Sequence, residues 1–299
     1  MRVAENQRYR QVNDQVSKAK SANARSLDDI STQKTIREIS DNPVGLTRAI
    51  RYKDQIGSYE QHVRNMDLTK GYMDTSEQAL TGLTDNLIRA KELSIAMSSD
   101  TYDAASRDSA AREIREIINE VVLAGNANYS GRYVFAGFRN QTPPVTEDGN
   151  FIGDDGKIFV EVSPGAFRPI NIPARTLFST SDEDRKLGHF NLVQALQNTY
   201  EGMTHNDKAT IQKSMSELEF HMEKVTSYQA SIGGMWNSIN NTQQRVARDI
   251  DASKATLSEI EDADAFQVTS DFKKTEAILQ STLLASNKVL QPSLLNFLQ

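Results

Sequence analysis

Cysteine is absent from all 299 residues. The chain therefore has no disulfide framework and no thiolate for catalysis or metal binding, and the absence fits work outside a reducing compartment. Aromatic residues make up only 7%, while Ser, Asn, Gln, Ala and charged residues dominate. That balance suits long helices with thin apolar seams better than a thick globular core. No run of about eighteen apolar residues occurs, so no membrane-spanning helix is expected. The start, Met1 to Arg8, lacks an apolar core of the kind a secretory signal peptide carries. A basic stripe is missing too: the formal charge is −6, which argues against nucleic acid as a partner.

Chemical motifs are equally sparse. There is no Gly-rich phosphate loop, no Gly-x-Ser-x-Gly elbow and no H-E-x-x-H pair. The histidines, His62, His189, His205 and His221, follow no metal-ligand spacing and are expected at the surface or its boundary. Glu113, Glu116 and Glu120 share a helix face, but none has the His three residues on that a di-iron bundle needs. The acids between Asp148 and Asp155 miss the calcium-loop spacing and read as turns. Gly233-Gly234 lies inside a helical pattern, where close packing or a local bend is expected, and Trp236 reads as a helix-seam residue. No polar constellation converges, so neither catalysis nor a cofactor is expected.

What the chain does have is a matched pair of ends. Tyr9, Val12, Val16, Ala19, Asn23, Ser26 and Ile30 recur at three-four spacing, and so do Ala265, Val268, Phe272, Thr275, Leu279, Thr282, Ser286 and Val289. This is the heptad signature of helices that pack along one stripe. The C-terminal helix is also apolar off its stripe, at Ile278, Leu283, Leu284 and Leu290, and the chain continues through Pro292 into Leu294, Leu295, Phe297 and Leu298. A helix apolar around much of its circumference needs cover on more than one side. The polar seam residues weaken a simple hairpin and can set register and partner choice. An assembly surface is therefore favoured over a closed monomeric hairpin.

The spacing predicts a first helix ending near Glu38, a long helix from Pro43 to about Met97, and a third over 104–128 with Ile114, Ile117, Ile118, Val121 and Val122 on its core face. Asn42-Pro43 reads as a cap and first helical residue. The apolar positions of the long helix, from Leu46 and Ile50 through Leu68 to Leu93, keep helical spacing with some drift. The character changes at Gly131, because five of the seven prolines lie between Pro143 and Pro173. Strands are expected at Tyr133–Phe135 and Ile158–Val162, with hairpin turns at Asp148-Gly149 and Asp155-Gly156. Helices resume near Lys186, a second long run covers about 205–260, and the last helix starts at Asp262 or Asp264. The expected fold is mainly α: an elongated bundle of long helices, its terminal helices paired as a coiled coil, with a small β-rich insert at the distal tip. Residues 1–42 with 262–299 form the expected coiled-coil assembly domain, 43–130 with 181–261 the bundle, and 131–180 the insert.

Four stretches carry a family resemblance. They are Ile30-Ser31-Thr32-Gln33-Lys34 with Ser40-Asp41-Asn42-Pro43, Gly131-Arg132-Tyr133-Val134-Phe135-Ala136-Gly137, Ile260-Glu261-Asp262-Ala263-Asp264, and Ser293-Leu294-Leu295-Asn296-Phe297-Leu298. In these, over both ends and the helical framework, the chain resembles the flagellin superfamily, and within it the proteins at the hook–filament junction. Flagellin itself usually has Asp-Asp-Ala-Ala-Gly at 41–45 and lacks the Tyr-Val-Phe-Ala-Gly segment. Here Gln33 stands where the family often has Gly, Asn42 where it has an acid, and Gln229 where an Arg often precedes Ile-Gly.

The resemblance implies a structural protein of the extracellular flagellum, exported without a cleaved signal through the flagellar type III apparatus. It implies self-assembly in a helical array between the first hook-associated protein (FlgK) and flagellin, with a FlgN-type export chaperone on the C-terminal helix beforehand. The implied contact residues are Tyr9, Val12, Val16, Ala19, Ile30, Val268, Phe272, Leu279, Leu283, Leu290, Leu294, Leu295 and Phe297. The alternatives are flagellin itself, a helical-bundle enzyme or metal protein, and a signalling coiled coil.

Overall fold

The computed structural model describes residues 2–290 and is dominated by helices. In chain order these are α1 (Arg2–Thr32), α2 (Pro43–Met97) and α3 (Ala104–Gly125), then α4 (Arg175–Phe178), α5 (Asp182–Lys186), α6 (Leu192–Thr204), α7 (Lys208–Glu261) and α8 (Ala265–Leu290). Between α3 and α4 lie two small antiparallel ladders, β1 (Asn128–Tyr129) with β2 (Arg132–Tyr133), and β3 (Phe159–Ser163) with β4 (Ala166–Pro169). Residues up to 58 and from 249 onward form one compact unit, and 59–248 form the other. Helices α2 and α7 contribute turns to both.

The core of the 59–248 unit is a heptad seam on α2. Met66, Met73, Leu80, Leu87 and Ser94 recur every seven residues, and so do Thr69, Ser76, Leu83, Ala90 and Met97, all buried. The drift expected from apolar residues alone disappears once the polar members are counted. Thr69, Ser76 and Ser94 each donate their hydroxyl to the carbonyl four residues back, at 2.8, 2.8 and 2.7 Å, so they enter the seam without an orphaned polar group. Ile50 and Leu68, counted in the apolar pattern, are exposed instead. On α7 the matching series is Ile211, Leu218, Val225, Ile232, Ile239 and Val246, again every seventh residue and buried. Lys91 pairs with Glu219 at 2.8 Å, and Gln243 donates to Asp67 at 2.9 Å, tying α2 to α7.

Helix α3 packs on α6 and buries Ile114, Ile117 and Val121. Asp103 caps it by accepting from the Ser106 N–H at 2.8 Å. The buried Arg107 donates to the carbonyls of Met97 at 2.8 Å and Ser99 at 2.7 Å, and to Asn206. One guanidinium thus satisfies carbonyls at the end of α2 and fixes the turn that leads into α7.

The β segment differs from its sequence reading in register. Only Arg132 and Tyr133 pair as a strand, whereas Val134, Phe135 and Ala136 leave the ladder and are fully buried. Phe135 packs against Phe178, with ring centroids 6.3 Å apart. The β3–β4 hairpin turns at Pro164-Gly165, with Gly165 at φ +71°, not at Asp155-Gly156. The residue that organises the acidic loop is Asp154. Its Oδ1 accepts the N–H groups of Phe138 at 2.7 Å and Gly156 at 2.8 Å. Burial would raise this carboxyl, but the N–H donors of Phe138, Gly156 and Arg139 prevail and hold it below its ordinary value. The β3–β4 hairpin is moored to α2 by Asn65, whose side-chain amide donates to the Glu161 carbonyl at 2.9 Å.

Three further expectations need correction. Helix α1 stops at Thr32, not near Glu38. Gly233 and Gly234 are exposed, and a Cβ at either would meet nothing within 4 Å, so close packing does not explain them. Among the histidines, His62 and His221 are buried.

Candidate assembly surface

Helices α1 and α8 run antiparallel, and their facing stripes are the two seams read from the sequence. Val12, Val16, Ala19, Asn23, Ser26 and Ile30 are half-buried, as are Val268, Phe272, Thr275, Leu279, Thr282 and Ser286. Asn23 and Thr275 meet across the seam, with the Thr275 hydroxyl donating to Asn23 Oδ1 at 3.5 Å. Among the described side chains of these two helices, none is fully buried. A two-helix pair with no third layer shields each seam residue on one side only. Most helix stability in proteins comes from packing of an apolar face, so half-burial of such thin seams leaves the pair with little of it.

The rest of the apolar surface points away from the seam. Leu27 on α1 and Phe266, Ile278, Leu283 and Leu284 on α8 are exposed, Phe266 at 85%. Of the thirteen contact residues that the resemblance implies, the structure places Val12, Val16, Ala19, Ile30, Val268, Phe272 and Leu279 in the seam. Tyr9 and Leu283 are exposed. Leu290 is the last residue of α8, whereas Leu294, Leu295 and Phe297 lie outside the described residues.

Where the terminal helices meet α2 and α7, the chain crosses itself in a short antiparallel bridge, Lys34 to Asp262. The Thr35 N–H donates to the Glu261 carbonyl and the Ala263 N–H to the Gln33 carbonyl, both at 2.9 Å. Gln33 ends α1 with φ +53°, the left-handed region that favours glycine. This is the position at which the resembling family often has Gly. Asp264 then caps α8, accepting the Phe266 N–H at 2.8 Å.

The charge that locks the crossing is Glu261, with 5% of its surface exposed. Its carboxylate takes Lys34 Nζ at 2.7 Å and Lys53 Nζ at 2.9 Å, joining the α1–α2 loop, α2 and α7. Burial pushes this carboxyl up, but the two lysine hydrogen bonds outweigh it and hold the group below its ordinary 4.5. On the loop, Arg37 pairs with Asp29 at 2.6 Å. Asp41 accepts the backbone N–H groups of Arg37 and Glu38, both at 3.1 Å, and pairs with Arg25. Asn42 caps α2 through the Gly45 N–H at 2.9 Å. A Cβ on Gly45 would stand 2.6 Å from Ile36 Cδ1, so the loop closes tightly on the helix it starts. Glu261 escaped the sequence reading as a lock. It was read only as part of the stretch that leads into the last helix, and its lysines come from far along the chain.

Because Glu261 sits low in the folded chain, its contribution is present above pH 4.5 and fades as pH falls through the depressed folded value. Glu261→Gln is expected to lose about 1–3 kcal/mol near neutral pH. The gap from wild type should close in acid, as read by thermal melts at two pH values. An equal gap at both would remove the carboxylate from the account.

Among the described residues, no group of three or more His, Asp or Glu side chains could hold a metal ion, and no helix is long and apolar enough to cross a membrane.

Comparison with known proteins agrees with the resemblance. The model for the bacterial flagellin N-terminal helical region matches residues 3–140, and that for the C-terminal helical region matches 215–298. Flagellar hook-associated protein 3 of Escherichia coli is 20% identical over 86% of this chain and 86% of its own length. The flagellar filament 31.3 kDa core protein of Treponema maltophilum is 21% identical over 93% of each. Among solved structures, a putative flagellar hook-associated protein from Vibrio parahaemolyticus shares the fold. It aligns with TM-score 0.68 at 14% identity, over 74% of this chain and all of the other.

Proposed function

This chain belongs to the flagellin superfamily, and from that premise we propose that it is the adaptor between hook and filament. It is a structural component of the flagellum. In the proposed role it assembles through both termini, head to tail, so copies add around an open helical lattice instead of closing a dimer. It would sit on the first hook-associated protein (FlgK) and carry flagellin. Before export, a FlgN-type chaperone would cover α8, whose Phe266, Ile278, Leu283 and Leu284 stand exposed.

The observation that carries the reading is this terminal pair, half-buried along one seam and apolar beyond it. The choice of junction over filament rests on the Gly131–Gly137 segment, three of whose residues form fully buried core. The filament reading is kept by the near full-length match to the Treponema maltophilum core protein.

Deleting the gene separates them. Bare hooks with flagellin released into the medium are expected for a junction protein. Bare hooks with little flagellin anywhere would make the chain a filament subunit, and normal filaments would reject both.

A further inference from the structure

One face of α7 grips the segment 184–190 through ionisable side chains about one helical turn apart. The Glu217 carboxylate, nearly buried, meets His189 Nδ1 at 3.1 Å with one oxygen and accepts the Phe190 N–H at 3.2 Å with the other. His221, fully buried, lies 3.1 Å from the Phe190 carbonyl through Nε2. Lys224 holds Asp184 at 2.8 Å. Between these ties the His189 ring stacks flat on Phe220, centroids 3.9 Å apart, with Lys224 over the other side of the cluster at 4.2 Å from the Phe220 centroid.

The weak point is the far nitrogen of His221. A carbonyl can only accept, so Nε2 carries the proton, and Nδ1 is buried with no hydrogen-bond partner. A second proton would go to Nδ1. There it would find no protein acceptor and a like charge at Lys224. The charged or titratable groups that act on the ring are Lys224 on its own helix, and His189 and Asp184 on the gripped segment.

We propose that this face of α7 is an acid-released latch on residues 184–190, with His221 as its trigger. Burial, foremost, and then Lys224 depress the His221 ring to about 4, against an ordinary 6.5. With the segment lifted, the ring gains water and takes a proton near its ordinary value. The closed state, which takes it only near 4, loses ground as pH falls from about 6.5. Opening rises by up to about tenfold per pH unit over that window and levels off below it. Release would open the wall of a neighbouring cavity of about 670 Å³, lined by Phe190, which is already exposed, and by Asn150, Arg185 and Lys213.

The test is hydrogen exchange of the full chain followed by mass spectrometry from about pH 7 to about pH 5, corrected for intrinsic rates. Protection of peptides spanning 184–190 should change little above about pH 6.5 and then fall by up to about tenfold per unit in the wild type, while peptides from the α2 seam stay constant. His221→Gln, whose amide can still donate to the Phe190 carbonyl, should flatten the fall, and His189→Gln should keep it. Constant protection in the wild type, or an undiminished fall in His221→Gln, overturns the latch. Should His221→Gln not fold, an NMR titration of the wild type decides. The Gly188 amide should move with the His221 ring, and movement with His189 instead would overturn the proposal.

Discussion

A chain cut back to residues 33–264 is expected to fold and melt cooperatively while losing assembly altogether. The cut removes α1 and the whole C-terminal helix, neither of which contributes a fully buried described side chain. It spares Glu261 with both lysines, the bridge at Lys34 and Asp262, and the heptad seams of α2 and α7. The melting temperature should therefore move by only a few degrees, the size of an effect of about 1 kcal/mol. Assembly, by contrast, should fall to nothing, because half-covered helices contribute most of their burial only when neighbouring copies complete it. Sedimentation of the purified chain and rescue of a gene-deleted strain read the two properties separately. Filaments restored by the truncated chain would remove the termini from the mechanism, and loss of the cooperative melt would show that they hold the middle together.

Phe135→Ala should give the reverse pattern. Its ring is fully buried, packs on Phe178 and sits in the segment that closes the β region onto α4. Truncating a buried Phe costs about 3–5 kcal/mol through lost transfer energy and the cavity left behind. Other large side chains of the region, Phe138, Ile152, Phe159 and Phe167, stand exposed and do not fill that space. A drop in stability of that order by denaturant titration is expected, with the midpoint shifting and the slope retained. Where the variant is still folded, assembly through the termini should persist. A change under 1 kcal/mol would mean the site collapses around the gap.

The terminal seams were legible because three-four spacing survives even when Asn, Ser and Thr occupy some positions, and most of the residues the pattern names are half-buried, with Tyr9 and Ala265 exposed. The long seam of α2 was only partly legible. Thr69, Ser76 and Ser94 break a count of apolar residues but not the packing, since their hydroxyls are satisfied within the helix. The end of α1 was misplaced because nothing local marks Thr32. The break is made by Gln33 bridging to the far end of the chain, and sequence spacing cannot report a pairing across so many residues. The hairpin position was missed for a similar reason. Asp155-Gly156 has turn chemistry, but Asp154 uses it to tie down a loop, while the strands pair about Pro164-Gly165. His221 went unread because a histidine at a heptad position looks the same whether its helix face is covered or bare.

The crossing at Lys34 and Glu261 also sets an order of events in time. Its two halves are separated by 227 positions. At a synthesis rate of about 5–20 residues per second, roughly 11 to 45 seconds pass between them on the ribosome. Throughout that interval α1 exists without the helix that will lie against it, and the knot cannot be tied until nearly the whole chain is made. The crossing forms late, just before the α1–α8 seam can close, and it decides where both ends go. A chain caught before that moment still has two loose ends to offer, and one caught after it has a single fixed pair.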